Sequence, residues 1–184
     1  ARVTIAPGIR ADRWGLTDQS TVSPWLQSEF RATPALRIRA SAGRYQQFPE
    51  FDKVLGVSGG VDLQPERADQ YDIGVEQRLG RAYRVSATLY DREERDMLRR
   101  PGGETRVVGS RVVRGTATTR FGNRLDGAAR GVEFMLQRTV TGRGVSGWFS
   151  YAFGRLRYRD TVSGEQFWGD ADQRHTMNAY ASYR

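Results

Sequence analysis

The chain contains no cysteine and a single histidine, His175. Disulfide frameworks, thiolate metal sites and cysteine nucleophiles are thereby excluded, and a multi-histidine metal centre cannot be built within it. Long apolar runs are missing as well. None approaches the ~20 residues a membrane helix requires, apolar residues make up 38% of the 184, and mean hydropathy is −0.64. These shortages exclude helical membrane spans. They do not exclude a membrane β-barrel, whose strands place only every second residue on lipid.

What is abundant is arginine and alternation. The 29 basic and 21 acidic residues leave a formal charge of +8, which raises nucleic acid or an anionic surface as partners. The arginines, however, are spread along the whole chain among apolar residues and form no compact basic block, so nucleic acid is not expected as a partner. No signal peptide pattern opens the chain. Ala1 begins inside a patterned segment, as expected of a piece cut from something longer.

Residues 65–80 read PERADQYDIGVEQRLG. Tyr71, Ile73, Val75 and Leu79 alternate with Asp72, Gly74, Glu76 and Arg78, the period of a strand with two unlike faces. Similar alternation runs through Val3–Ile9, Leu36–Ala42, Val85–Leu89, Val132–Leu136, Phe149–Phe153 and Met177–Tyr183. Pro24–Phe30 alternates least and reads as a strand from its position between two others. The expectation is an all-β, antiparallel up-and-down meander of about eight strands.

The connections separate the environments. Thr33-Pro34, Gly80-Arg81 and Thr141-Gly142-Arg143-Gly144 carry tight-turn chemistry, while 14–22, 47–69, 97–125 and 159–173 read as long polar loops. Short and long connections alternate, which suits a membrane barrel with tight turns at one rim and long loops at the other. Aromatics such as Trp14, Trp25, Tyr71, Tyr158 and Trp168 fall near strand ends or in loops, where an interfacial girdle places them. The meander is therefore expected to be part of a transmembrane β-barrel. Its wet side would carry Arg10, Asp12, Arg37, Arg39, Asp72, Glu76, Arg78, Arg84, Thr88, Glu133, Gln137, Thr176 and Asn178. Of these, Arg37, Arg39, Asp72, Glu76, Arg84, Glu133, Gln137 and Asn178 are the lumen-facing site candidates, suited to contacting a plug or lining a solute path.

Three stretches carry possible chemistry. Gly56-Val57-Ser58-Gly59-Gly60 matches G-x-S-x-G, and Asp172 and His175 follow in hydrolase order. The elbow needs a helix immediately after the serine, and Val61-Asp62-Leu63-Gln64-Pro65 offers none, so a glycine-rich loop is the simpler reading. The run Asp91–Asp96 reads as a strand continuing past the bilayer, with no metal site and no catalytic carboxylate pair. The arginine-rich loop from Arg99 to Arg124 suits an anion such as a lipopolysaccharide phosphate, or is simply a solvated loop.

Several segments resemble one family. Leu63-Gln64-Pro65-Glu66 followed by Tyr71-Asp72-Ile73-Gly74-Val75-Glu76 resembles the L-x-PE…YE-x-G-x-E strand of TonB-dependent outer-membrane receptors. Ala129-Arg130-Gly131-Val132-Glu133-Phe134, Asp172-Gln173-Arg174-His175-Thr176-Met177-Asn178 and Pro7-Gly8-Ile9-Arg10-Ala11-Asp12 are similar to further strands of that family, in its order. The resemblance implies a 22-stranded barrel in the outer membrane of a Gram-negative bacterium, enclosing a plug and importing a scarce solute with energy supplied through TonB. It implies no enzymatic activity and no cofactor. Its implied partners are outer-membrane lipid and lipopolysaccharide, the protein's own plug domain, TonB and the imported solute. Residues 1–184 would be one piece of that barrel, truncated at both ends, without plug or TonB box. Two other readings stay open at this point: a self-contained eight-stranded outer-membrane barrel, and a soluble β-sandwich that binds a ligand.

Overall fold

The computed structural model of the protein describes residues 2–103, 105–108, 110–113 and 119–184. Eight long strands follow one another: β1 (Arg2–Trp14), β2 (Gln19–Arg31), β3 (Leu36–Gln47), β4 (Glu66–Leu79), β5 (Tyr83–Arg99), β8 (Gly122–Arg138), β9 (Val145–Asp160) and β11 (His175–Tyr183). All neighbouring pairs are antiparallel, in chain order from β1 to β11. A five-residue helix, α1 (Phe51–Leu55), a small hairpin, β6 (Arg106–Val108) with β7 (Arg111–Val113), and a short strand, β10 (Gln166–Trp168), decorate the connections on one rim. The connections at the other rim are 32–35, 80–82 and 139–144. There Gly80 takes φ +62°, a conformation that glycine adopts without strain.

The expected alternation of connections holds with one correction. Residues 14–22 are not a long loop: β1 and β2 stay paired as far as Trp14 and Gln19, leaving the four-residue turn 15–18, with Asp18 at φ +52°. The polar residues there belong to strand ends above the apolar part of the sheet, where both faces tolerate polarity. Pro24–Phe30, the weakest strand in the sequence, is paired with β1 throughout and with β3 from Trp25 onward.

Cα partners in an antiparallel ladder share a face, so the registers divide the sheet cleanly. One face carries Ile38, Val75, Ala87, Phe134, Tyr151 and Met177 in a single row; the row above it holds Ala40, Ile73, Leu89, Val132, Phe153 and His175. These side chains have nothing packed on them: Ile73 is 53% exposed, Leu89 58% and Met177 68%. Among the described residues the buried apolar side chains are few, Pro49, Val54, Leu63, Ala68 and Leu125, three of them in the 48–65 connection. A β-sandwich buries one face of each sheet in a core about 10 Å thick. Among the described residues this sheet has no second layer packed on its apolar face, and the sandwich reading fails.

The apolar band also slants across the register. Taking the Ala40–His175 row as a reference, it reaches three rows higher on β1 and β2, to Ala11 and Val22, but stops at that row on β5, β8 and β9. Its lower limit falls in the same sense, from Val3 and Phe30 one row below the reference to Tyr183 four rows below. The band therefore slips by about one residue per strand. With about 3.3 Å of rise and 4.8 Å between strands, a level band needs strands tilted by about 35°.

Candidate functional site

The opposite face is polar, and all eight sequence-selected candidates share it. Arg37 partners Glu76 and Arg39 partners Gly74; Asp72 partners Ser41; Arg84 partners Gln137; Glu133 partners Thr88 and Ala152; and Asn178 partners Ser150. Strand alternation alone brings them to one side, because each lies an even number of residues from its polar neighbours.

Two distinct chemistries occupy this face. Across β2–β5 runs a ladder of alternating charge. Glu29 receives Arg31 at 2.5 Å and Arg39 at 3.1 Å, Arg39 reaches Glu76 at 3.8 Å, and Glu76 meets Arg84 at 3.8 Å. Ser41 donates to Asp72 in the same strip. Both glutamates have basic neighbours on either side, so the strip holds its charge internally. Arg37, in register with Glu76, makes no ion pair within 4.0 Å among the described residues. Beside Glu29 and Asp72, Thr4, Ala6, Gln27, Arg39 and Ser41 help line an open concavity of about 430 Å³.

Across β5–β11 the face is hydroxyl-rich around one carboxylate, that of Glu133. Ser86, Thr88, Ser150, Thr176 and Asn178 surround Glu133 in a concavity of about 310 Å³. Glu133 is exposed and has no ion-pair partner within 4.0 Å among the described residues. Aromatic side chains on this face come over glycines that leave room for them. Trp25 covers Gly8 so closely that a Cβ there would overlap the indole, and the Tyr90 hydroxyl sits over both Gly131 and Gly154.

The arginine loop behaves differently from its reading as an anion grip. Arg99, at the end of β5, is 4% exposed, and Asp160, at the end of β9, is fully buried. Arg99 donates to Asp160 at 2.7 Å and to Glu165 at 2.7 Å, and Arg124 donates two bonds to Asp160, both 2.9 Å. The Val162 and Ser163 N–H groups also donate to Asp160, and the Arg99 guanidinium lies 4.7 Å from the centre of the Phe167 ring. Burial opposes ionisation of Asp160. The bonds from Arg124, Ser163, Val162 and Arg99 outweigh it and hold the carboxyl well below the usual carboxylate range. The two end arginines thus staple loops instead of reaching for a ligand; Arg114 lies outside the described residues. Sequence reasoning missed this cluster. The turn chemistry of Asp160-Thr161-Val162-Ser163-Gly164 was legible, but Arg99, 61 residues away, was not.

The residues in hydrolase order are separately engaged. Ser58 follows α1 and precedes no helix, the Asp172 carboxylate accepts from the Leu156 N–H at 2.8 Å, and His175 Nδ1 pairs with the Tyr151 hydroxyl at 2.9 Å. Asp91–Asp96 lies on β5 as it runs past the apolar band, with Asp96 at φ +58° beside a register shift. No cluster of metal-ligating side chains occurs among the described residues.

Comparison with known proteins agrees with this geometry. The family model "TonB dependent receptor-like, beta-barrel" matches residues 1–184. No curated protein matches the sequence. Among solved structures, the chain resembles the FrpB iron transporter from Neisseria meningitidis (F3-3 variant), with a TM-score of 0.70 and 16% identity over 99% of this chain and 28% of that one. It also resembles the copper transporter OprC, with a TM-score of 0.61 and 17% identity over 90% of this chain and 27% of that one. A mutant ferric enterobactin receptor, PfeA from Pseudomonas aeruginosa, gives a TM-score of 0.53 and 13% identity, covering 97% and 34%. The chain therefore spans about a third or less of the length of these neighbours, and likeness at such identity speaks for the fold. With the family model covering every residue of an amphipathic, tilted meander, the chain belongs to the TonB-dependent receptor family, as part of its β-barrel.

Proposed function

We propose that this chain is barrel wall of an outer-membrane transporter that imports a scarce solute with energy delivered through TonB. The observation that carries the reading is the family match over all 184 residues of a sheet with one uncovered apolar face and one charged face. The apolar band faces acyl chains. The polar face, with Arg37, Arg39, Asp72, Glu76, Arg84, Glu133, Gln137 and Asn178, lines the lumen. The ladder on β2–β5 is a support for a plug domain, since most of its charge is closed in ion pairs within the wall, with Arg37 left to meet a charge on the plug. The hydroxyl-rich strip around Glu133 is the part of this wall that offers hydrogen bonds to a plug or solute.

The eight strands leave open edges. Among the described residues β1 pairs only with β2, and β11 only with β9. Hydrocarbon does not tolerate unpaired backbone edges, so further strands complete the barrel; this speaks against an eight-stranded barrel closing alone. The experiment is fractionation of the full-length protein followed by retention on immobilised TonB periplasmic domain. Recovery in the outer membrane, with heat-modifiable gel mobility and capture by TonB, is expected. Insertion without capture overturns the TonB-coupled reading in favour of a passive barrel, and recovery as a soluble protein overturns the membrane reading itself.

A further inference from the structure

The lipid-side face does not end at the apolar band. Above it, towards the rim of the long connections, the same face turns basic. On β3–β8 each arginine there has an acid partner: Arg44 and Arg67 with Asp69, Arg95 with Glu93, and Arg130 with Asp91 at 2.8 Å. Strand β9 breaks this pattern. Arg155, Arg157 and Arg159 follow Phe149, Tyr151 and Phe153 at alternate positions on one face. All three are exposed, and no carboxylate oxygen among the described residues lies within 4.0 Å of any of their guanidinium nitrogens. The acids nearby do not fill the role. Asp126 is in register with Arg159 without bonding it, and Asp172 is taken by Arg174 and the Leu156 N–H.

The setting of this column is interfacial. Phe153 marks the upper limit of the apolar band, and Trp168, paired with Arg157 across β9–β10, is flanked by the Arg157 guanidinium at 5.7 Å and that of Arg174 at 4.4 Å. Aromatic rings beside arginines at the end of an apolar band occupy the headgroup layer, where phosphate is the available anion. Neighbouring arginines on one face stand about 6.6 Å apart along the strand, close enough for two of them to grip one phosphate. Beside Arg157 and Arg159 an open groove of about 400 Å³ runs towards Arg95; Asp126, Glu93 and Glu94 also line it, Glu93 paired with Arg95 and Glu94 with Arg92.

We propose that Arg155, Arg157 and Arg159 form a docking site for the phosphate groups of a phosphorylated lipid in the outer leaflet. The site rests on the reading of the apolar band as lipid-facing. It places the lipopolysaccharide-type contact on the strand wall, and not on the Arg99–Arg124 loop whose end arginines are spent on Asp160.

The test uses full-length protein, purified and reconstituted. Wild type, the triple variant Arg155→Gln/Arg157→Gln/Arg159→Gln and a control, Arg44→Gln, are titrated with bis-phosphorylated lipid A, with dephosphorylated lipid A and with inorganic phosphate. Bound lipid is counted by native mass spectrometry. Affinity for the bis-phosphorylated lipid is expected to fall about a hundredfold in the triple variant, about fivefold for each arginine, and to stay within about twofold in the control. The charge-keeping variant with three lysines retains most of the binding, and the single glutamine variants replace the triple one if it does not insert. Equal binding by wild type and variant overturns the site. Equal binding of dephosphorylated lipid, or tight binding of inorganic phosphate, overturns its assignment to a lipid phosphate. Heat-modifiable insertion, scored in parallel, keeps the two readings apart: a wild type that never inserts fails the membrane reading, whereas insertion with unchanged lipid affinity fails only this site.

Discussion

Val75 and Glu76 are chain neighbours with opposite surroundings, and this makes the facing of the sheet measurable at single residues. Val75 sits mid-band between Ile38 and Ala87, whereas Glu76 lies in the charge ladder. Val75→Arg is expected to destabilise the inserted barrel by about 2–4 kcal/mol. Glu76→Gln, which breaks two long ion pairs, should cost under about 1 kcal/mol. Urea unfolding in liposomes compares them, and equal costs would sink the assignment of faces. Asp160 gives a second residue-scale test, one of sign. Its folded pKa is depressed, so its carboxylate adds stability above the unfolded value of about 4, and that contribution is lost as pH falls through the folded value. Asp160→Asn should therefore cost about 3 kcal/mol at neutral pH, and the gap to wild type should narrow below about pH 4. Proteolysis of the 161–174 connection across pH reads it; a gap that does not change with pH counts against the buried ion cluster as its source.

At the scale of the element, strands were legible wherever one face is apolar and the other polar, because the period of two survives in the residues themselves. The even–odd split of Tyr71–Leu79 and of Leu36–Ala42 placed Arg37, Arg39, Asp72 and Glu76 on a common face before any register was known, and the pairing keeps them there. Strand ends were less legible. Beyond the bilayer both faces are polar, so residues 14–22 read as a loop although the ladder runs through Trp14 and Gln19. Contacts between distant elements were not legible at all: nothing in residue order links Arg99 to Asp160, or Tyr90 to the two glycines it covers. Those glycines make an element-scale prediction. A Cβ at Gly131 would overlap the Phe153 carbonyl oxygen and the Tyr90 hydroxyl, so β8 and β9 cannot keep their separation with the ring in place. Gly131→Ala should cost about 1–3 kcal/mol. Adding Tyr90→Ala should not restore it fully, because the carbonyl clash remains. Full restoration would mean that only the ring, and not the strand spacing, requires glycine.

At the scale of the whole molecule, the slant of the apolar band links sequence to barrel geometry without using any neighbour. A flat sheet with untilted strands would end its apolar residues along one register row. Here the upper limit moves from the Ala11–Val22 row on β1 and β2 down to the Phe153–His175 row on β9 and β11. A membrane is level, so the strands must lean across it by about 35°, within the range that closure into a barrel imposes. Those same eight strands, joined at their open edges to further tilted strands, would curve the charged face inwards and keep the unbroken apolar face outermost. The lean is directly measurable. Polarised infrared spectra of the full-length protein in oriented bilayers should give an amide I dichroism corresponding to about 35–45° between strands and the membrane normal. Strands close to the normal would leave the slant without a membrane origin. A level band would then have to come from another surface, such as a protein partner covering Ile73, Leu89 and Met177.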